Sequence, residues 1–223
     1  TRRPPPQAAA AAASGRPSSA PPGRLSAARF DGVQKASAFG GRGGSSRFAD
    51  EYARGALPCH IDHGTCAHRI AWDVSIEEMR ARRDPLLMLC AEGLRETKHP
   101  HATIARLAFA DLAKLNADTP IAANALRSIV VGLRSALMAA KVPAPPGTPD
   151  TLAAALEGLR QVANLEGARL VPHVHLVLPP IGKHMSSKPH VSAIRDTLQA
   201  LKLHGGPDVA RIIGRSSVVA GLQ

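Results

Sequence analysis

From Pro85 onward, apolar residues recur every three or four positions, and proline or glycine divides the pattern into short segments. The first stripe, ended by His99-Pro100, consists of Leu86, Leu89, Cys90 and Leu94. This period is typical of one buried face of an α-helix, and Asp84 is the expected N-cap of that helix. Helices this short are marginal in isolation, so the pattern predicts several helices that bury their apolar faces against one another.

Further helices are predicted along the rest of the chain. Pro120–Ala140 is apolar almost all round, which predicts a central buried helix. Thr148 or Asp150 is expected to cap the next helix, and Pro172–Met185 is expected to be helical but interrupted at Pro179-Pro180. Three further apolar stripes each predict a helix: Ile104, Leu107, Ala108, Leu112 and Leu115; Leu152, Leu156, Leu159 and Val162; and Val191, Ile194, Leu198 and Leu201. The last of these helices is expected to stop at Gly205-Gly206. A short closing helix is then predicted at Pro207–Gly214.

These helices are expected to form antiparallel pairs that begin near residues 85, 120 and 170. A spacing of about forty to fifty residues is typical of armadillo and HEAT repeats, in which each pair buries its apolar face against the next. For residues 48–223 we therefore predict an all-α fold, an armadillo/HEAT-like stack of antiparallel helices. A compact helical bundle is the alternative.

A short β-hairpin is predicted before the stack, at about residues 57–74. Apolar residues alternate with others on both sides of a loop that contains Gly64; they are Leu57, Cys59 and Ile61, then Ile70, Trp72 and Val74. This period of two predicts antiparallel strands, and an isolated hairpin is marginal, so Trp72 is expected to anchor it on the helices. Phe48–Arg54 is expected to form a short helix that ends at Gly55.

Residues 1–47 form a basic tail rich in Pro, Ala, Ser and Gly. The tail holds eight Arg and Lys residues against one acid, Asp31, and so carries +7 of the total formal charge of +11. Because this composition buries too little apolar surface to offset chain entropy, we expect the tail to be disordered. A mitochondrial transit peptide and a single RGG-like element around Arg42 are alternative interpretations of the tail. The chain begins with Thr1 rather than Met, so we expect a longer product.

The basic charge implies a polyanionic partner, which is nucleic acid, an acidic membrane surface or an acidic protein polymer. Aromatic residues make up only 3% of the chain, which disfavours base stacking. Residues 48–223 hold 20 basic residues against 16 acidic ones, so nucleic acid is the less favoured alternative. The most apolar stretch, Pro120–Ala140, contains Arg127 and Arg134, so no membrane span is predicted. Phosphate-loop, nucleophile-elbow, dinucleotide-binding and His-Glu-x-x-His motifs are absent from the sequence, and we expect neither catalysis nor a cofactor.

Two cysteines and three histidines fall within residues 59–68. The candidate zinc ligands among them are Cys59, His63, Cys66 and His68, although their spacing is not that of a zinc finger. The favoured interpretation is a packed hairpin without metal, in which Cys59 is a small buried apolar residue. With Cys90 the chain has three cysteines, an odd number that favours a reducing compartment over a disulfide framework.

Basic side chains are the candidate partner-binding residues. They are Arg80, Arg82, Arg83, Arg95 and Lys98 around the first long helix, and Arg16, Arg24, Arg29, Lys35, Arg42 and Arg47 in the tail. The alternative for Arg95 and Lys98 is an interaction with the helix dipole, and for the arginine run a solvated loop.

Two segments carry a recognisable pattern. The first runs from Phe48-Ala-Asp-Glu-Tyr52 to Trp72, and the second runs from Asp84-Pro85-Leu86-Leu87 to Pro100. Together with Val171-Pro172, Leu178-Pro179 and His204-Gly205-Gly206, they resemble the parkin co-regulated gene protein family over residues 48–213, and more closely its PACRG-like branch. The residues that carry the resemblance are Gly55, Pro58, His63, Gly64, Trp72, Glu92 and Gly93.

The resemblance implies an armadillo/HEAT-like helical fold without catalysis. It also implies a structural role on ciliary microtubules, with tubulin and neighbouring axonemal proteins as partners. The implied location is the cytoplasm and cytoskeleton, at the axoneme or basal body of a cilium or flagellum. The chain departs from the family pattern in its proline-rich loop Lys141–Pro149 and in its ending, Ser216–Gln223, which lacks a Pro-Thr-Tyr sequence.

Overall fold

The computed structural model describes residues 46–63, 68–115 and 118–216. The elements before the stack are α1 (Arg47–Ala53), β1 (Cys59–His63), β2 (His68–Trp72) and α2 (Ile76–Ala81). The stack consists of α3 (Arg83–Gly93), α4 (His101–Lys114), α5 (Ala123–Ala139), α6 (Thr151–Glu166), α7 (Val174–Lys183) and α8 (Val191–Arg215), with 3-10 turns at Gly167–His173 and Lys188–His190. The fold is therefore mostly helical with one short hairpin, as predicted.

The hairpin precedes the stack and packs on it. Strands β1 and β2 are antiparallel, with Cys59 opposite Trp72 and Ile61 opposite Ile70. The hairpin contacts α4, and half-buried Trp72 lies against the core. Helix α1 is capped by the Ser46 hydroxyl, which accepts from the Ala49 N–H, and the chain turns at Gly55 with a positive φ of 76°. The predicted hairpin and the predicted end of α1 are both confirmed.

The six long helices form two layers. Helices α3, α5 and α7 contact one another in order and make the first layer, and α4, α6 and α8 do the same in the second. Each first-layer helix also packs on its successor in the chain, so α3–α4, α5–α6 and α7–α8 are three helix pairs. The pairs begin at residues 83, 123 and 174, close to the predicted positions.

Contacts at the helix ends give the helix directions. Asp84, at the start of α3, bonds Ala122, just before α5, so these neighbours within one layer run parallel. In the second layer Asp150 and His190, which precede α6 and α8, lie 3.4 Å apart (Oδ2 to Nε2). By contrast, Glu166 at the end of α6 bonds Ile121 before α5, so the two helices of a pair run antiparallel. The result is a stack of antiparallel helix pairs.

Helix α5 occupies the middle of the stack, in contact with α3, α6 and α7. Its buried face includes Leu126, Ile129, Leu133 and Leu137. The predicted central buried helix is confirmed for this face, while Arg127, Arg134 and Met138 on the opposite face are exposed. At Gly132 a Cβ atom would lie 2.9 Å from the backbone carbon of Ala91, so glycine lets α5 approach α3 closely.

Side chains from two neighbouring helices hold the start of α5. The Ala122 N–H donates to Asp84 Oδ2 (2.8 Å), and the Ile121 N–H donates to Glu166 Oε1 (2.8 Å). Arg169 pairs with Glu166 and donates from Nη2 to the Ile121 carbonyl (2.7 Å). Asp84 was predicted to cap its own helix. That prediction is wrong, because α3 begins at Arg83 and the carboxylate of Asp84 holds α5 instead.

Two further sequence predictions meet different outcomes in the last pair. Helix α7 continues through Pro179-Pro180, so the predicted interruption is wrong. Burial of Val177, Leu178 and Ile181 against the stack outweighs the lost helical hydrogen bonds. The predicted stop at Gly205-Gly206 is confirmed, since Gly206 has a non-helical φ of 74° that breaks α8 into two segments. Among the described residues, none of the helices has the length and apolar character needed to cross a membrane.

Candidate interaction surface

The exposed face of α5 carries unpaired basic residues. Arg127 and Arg134 are exposed and lie seven residues apart, which is about two turns and about 10 Å along one side of the helix. Lys141, also exposed, follows just after the helix. Within the described part of the chain, none of these three side chains forms an ion pair. Met138 lies on the same face and is 48% exposed.

Helix α7 runs beside α5 and extends this face. His175 and Lys183 are exposed on α7, and His173 immediately precedes it. Burial, together with the positive charge of Arg127 and of His175, holds the pKa of His173 below its ordinary value. Because the charge of Arg127 acts on His173, the start of α7 lies close to the first half of α5. We name Arg127, Arg134, Lys141, His173, His175 and Lys183 the basic surface.

No acidic residue interrupts the basic surface. The sequence contains no Asp or Glu between Asp118 and Asp150, and none between Glu166 and Asp196. The second layer differs, because its exposed charges include ion pairs within one helix turn. These pairs are Glu157 with Arg160 on α6 and Asp208 with Arg211 on α8. Positive charge without a carboxylate in the same stretch of chain is therefore a property of α5, α7 and their flanking loops.

A cleft of about 320 Å³ ends the basic surface, where α5 and α7 both finish. It is lined by Ala140, Val142, Lys183, His184, Ser186 and Ser187. The His184 Nε2–H donates to the Leu137 carbonyl (2.9 Å), which fixes the buried imidazole across the two helices. The Ser187 hydroxyl oxygen is buried and has no hydrogen-bond partner among the described residues. The cleft thus offers the exposed Lys183 ammonium to a small anionic group.

The arginine run before the first long helix does not form a loop. Arg80 lies exposed in the last turn of α2, and Arg82 bonds both Glu78 and the Ala56 carbonyl. Arg83 is 4% exposed and donates to the Thr119 carbonyl at 2.8 Å. Arg83 is therefore a structural residue, and its prediction as a partner contact is wrong because burial withholds it from any partner.

The other predicted basic contacts meet mixed outcomes. Arg95 and Lys98 follow α3 and are exposed, so they remain predicted contacts. Arg47, assigned to the tail, is instead the first residue of α1 and pairs with Glu92 at 2.8 Å. The predicted tail boundary is therefore one or two residues too late. The remaining tail positions lie outside the described residues; they are Arg16, Arg24, Arg29, Lys35 and Arg42.

The proposed zinc ligands are only partly described by the structure. Cys59 is buried in the core, and burial raises the pKa of its thiol to about 12, which disfavours the thiolate that zinc requires. His63 and His68 are paired in backbone register, but their side chains and all of Cys66 lie outside the described residues. The favoured prediction, that Cys59 is a small buried apolar residue, is confirmed by its burial.

The residues that carry the family resemblance have structural roles where they are described. Gly93, at the end of α3, faces the buried ring of Phe48, and a Cβ there would lie 2.5 Å from Phe48 Cδ2. Glu92 pairs with Arg47, and burial raises its pKa against the opposing effect of that arginine. Gly55 makes the turn after α1, while Pro58, just before β1, and Trp72, at the end of β2, are both half-buried. The side chain of His63 and all of Gly64 lie outside the described residues.

Sequence reasoning missed two features for which a signal existed. Ser75 followed by Glu78 is the pattern of a helix N-cap, and the Ser75 hydroxyl does accept from the Glu78 N–H to start α2. The two long acid-free stretches were also visible in the sequence, but only the contact between α5 and α7 brings them onto one surface.

Comparison with known protein families agrees with this architecture. A family model described as Parkin co-regulated protein matches residues 46–216. The match begins at Ser46, which caps α1, and ends at Ser216, which follows α8. It spans the hairpin and all three helix pairs, which is most of the chain. The chain therefore belongs to the Parkin co-regulated protein family.

Proposed function

We propose that this chain is a non-enzymatic structural protein that binds microtubules in the axoneme or basal body of a cilium or flagellum. The observation that carries the proposal is the two-layer stack of helix pairs, whose α5–α7 side presents unopposed positive charge. Such a stack gives a long, rigid contact surface, and basic charge suits an acidic polymer. Membership of the family, and the microtubule role that the resemblance implies, support the same conclusion.

The proposed mechanism is attachment through two linked parts. The helical stack supplies contacts that depend on shape, and the basic tail supplies a second, electrostatic contact. Linking two weak contacts raises the overall affinity, because the second becomes intramolecular once the first has formed. Tubulin is the proposed partner of both parts, and neighbouring axonemal proteins are the proposed partners of the remaining surface.

Co-sedimentation with polymerised tubulin tests this proposal. We expect the full chain to pellet with microtubules at about 50 mM salt, and to pellet less at about 200 mM as screening weakens charge contacts. A tail-neutralised full chain, in which Arg16, Arg24, Arg29, Lys35 and Arg42 are changed to Gln, should pellet more weakly but still measurably. If neither the full chain nor the tail-neutralised chain pellets with microtubules at low salt, the microtubule assignment is contradicted.

A further inference from the structure

We propose that the basic surface binds an acidic protein segment whose carboxylates pair with Arg127 and Arg134. The inference deepens the proposed function, on which it rests for the kind of partner, by naming the face of the stack that makes the contact. The same face would engage an acidic segment of any protein, because it recognises the spacing of the carboxylates and not the identity of the protein that carries them.

The spacing of the two arginines defines the ligand. Arg127 and Arg134 lie seven residues apart on the exposed side of α5, about 10 Å along its axis. A peptide in the polyproline II conformation advances about 3.1 Å per residue with three residues per turn, so carboxylates three residues apart lie on one side, about 9 Å apart, and match this distance. Lys141 and Lys183 continue the positive charge toward the ends of α5 and α7. An acidic segment of a few residues can therefore meet several cations at once.

The cleft at the end of the basic surface supplies a second contact. Lys183 and Ser187 line it, and the buried Ser187 hydroxyl has no hydrogen-bond partner among the described residues. A carboxylate that entered the cleft could accept a hydrogen bond from the exposed Lys183 ammonium, whereas the Ser187 hydroxyl is closed to solvent.

The surface favours a protein partner over a nucleic acid. Its exposed positions on α5 and α7 include no Phe, Tyr or Trp side chain, which are the usual platforms for base stacking. Apolar groups lie between the charges instead, with Met138 48% exposed and Pro179 exposed. Apolar contacts of this kind suit the side chains of a peptide and add little to the binding of a phosphate backbone.

A charge reversal with a matched control tests the inference. The background is the full chain with Arg16→Gln, Arg24→Gln, Arg29→Gln, Lys35→Gln and Arg42→Gln, so that the tail contributes little. Into it we would introduce Arg127→Glu with Arg134→Glu, and separately Arg195→Glu with Lys202→Glu as the control. The control residues are also exposed and seven residues apart, but they lie on α8 in the second layer.

Fluorescence anisotropy with a labelled polyglutamate peptide of about ten residues gives the readout. We expect the α5 variant to lose at least about tenfold in affinity at low salt, and the α8 control to lose less than about threefold. Circular dichroism and the urea midpoint of both variants should match the parent, which excludes unfolding. Equal losses in both variants, or no loss in the α5 variant, would overturn the inference. Tighter binding of a DNA duplex than of the peptide, lost in the α5 variant, would also overturn it in favour of nucleic acid.

Parallel microtubule pelleting separates this inference from the proposed function. If the parent chain does not pellet but the α5 variant loses peptide binding, the basic surface stands and the microtubule assignment fails. If the parent pellets and both variants bind the peptide like the parent, the microtubule assignment stands and the basic surface fails.

Discussion

At the level of single residues, close packing decides which positions can carry a side chain. Gly93 is a case in which a residue of the family pattern has a steric explanation. The ring of Phe48 is only 1% exposed and lies against the Gly93 backbone, so α1 can pack on α3 only if position 93 carries no side chain. The pattern in the sequence was visible, but the ring that requires it lies 45 residues earlier.

Gly93→Ala should therefore destabilise the fold. The added Cβ would come within 2.5 Å of Phe48 Cδ2, and repacking a buried ring costs about 2 kcal/mol, which exceeds the gain of about 1 kcal/mol from replacing a helical glycine. Urea unfolding followed by circular dichroism measures the change. Gly214→Ala is the matched control, because no atom lies within 4 Å of the Cβ there, and it should be neutral or slightly stabilising. A stabilising Gly93→Ala would contradict this packing.

His173 should make stability depend on pH. Its pKa is held below the ordinary value of about 6.5 by burial, by Arg127 and by His175, so the unfolded chain binds the proton more readily. The free energy of unfolding should then fall as the pH drops through about 6.5 toward the folded pKa, and this penalty should be absent above that range. His173→Gln should lose less stability than the wild type between about pH 7.5 and 5.5, as measured by urea midpoints. Equal losses in the two proteins would show that His173 is not penalised by its surroundings.

At the level of elements, helix stripes and breaks were predictable because they depend on local spacing. The hairpin, the pair spacing and the break at Gly206 follow from periods and turn residues that any short window contains. Asp84 shows why other features were not predictable. Its carboxylate has a local use as a cap and a tertiary use at Ala122, and only the packing of α3 on α5 decides between them. The basic surface was missed for the same reason, since α5 and α7 contribute to it from separate stretches.

Among the contacts between helices, the loss of those made by Glu166 should affect the stability of α5 most. Its side chain is 1% exposed, and it accepts from the Ile121 N–H while it pairs with Arg169. Glu166→Ala leaves that N–H without a partner and should lower the free energy of unfolding by about 2 kcal/mol or more. Glu157→Ala, on the same helix, removes an exposed carboxylate that pairs with half-buried Arg160 and should change the free energy of unfolding by less than about 1 kcal/mol. Similar effects of the two substitutions, in urea or thermal unfolding, would contradict the role of Glu166.

At the level of the whole molecule, two buried thiols report whether the stack opens as one unit. Cys59 lies in the hairpin and Cys90 in α3, and burial raises the pKa of both thiols. In a Cys66→Ser background, a thiol reagent at about pH 8 should label both at least about 100-fold more slowly than in the urea-unfolded chain. Both rates should rise together as urea is added. Rapid labelling of Cys90 in the absence of urea would contradict the packing of α3.

The start of α5 is bonded by Asp84 of α3 and by Glu166 of α6, and this has a consequence for how the protein is synthesised. A nascent chain that has emerged as far as the loop before α6 already contains α3, α4 and α5, but it lacks Glu166 and Arg169. The peptide of Ile121 then has no internal partner for either its N–H or its carbonyl, and the beginning of α5 stays open to water. The start of α5 is therefore fully bonded only after the end of α6 and the following 3-10 turn have been synthesised, and a chain truncated before them should be retained by chaperones or degraded rather than accumulate.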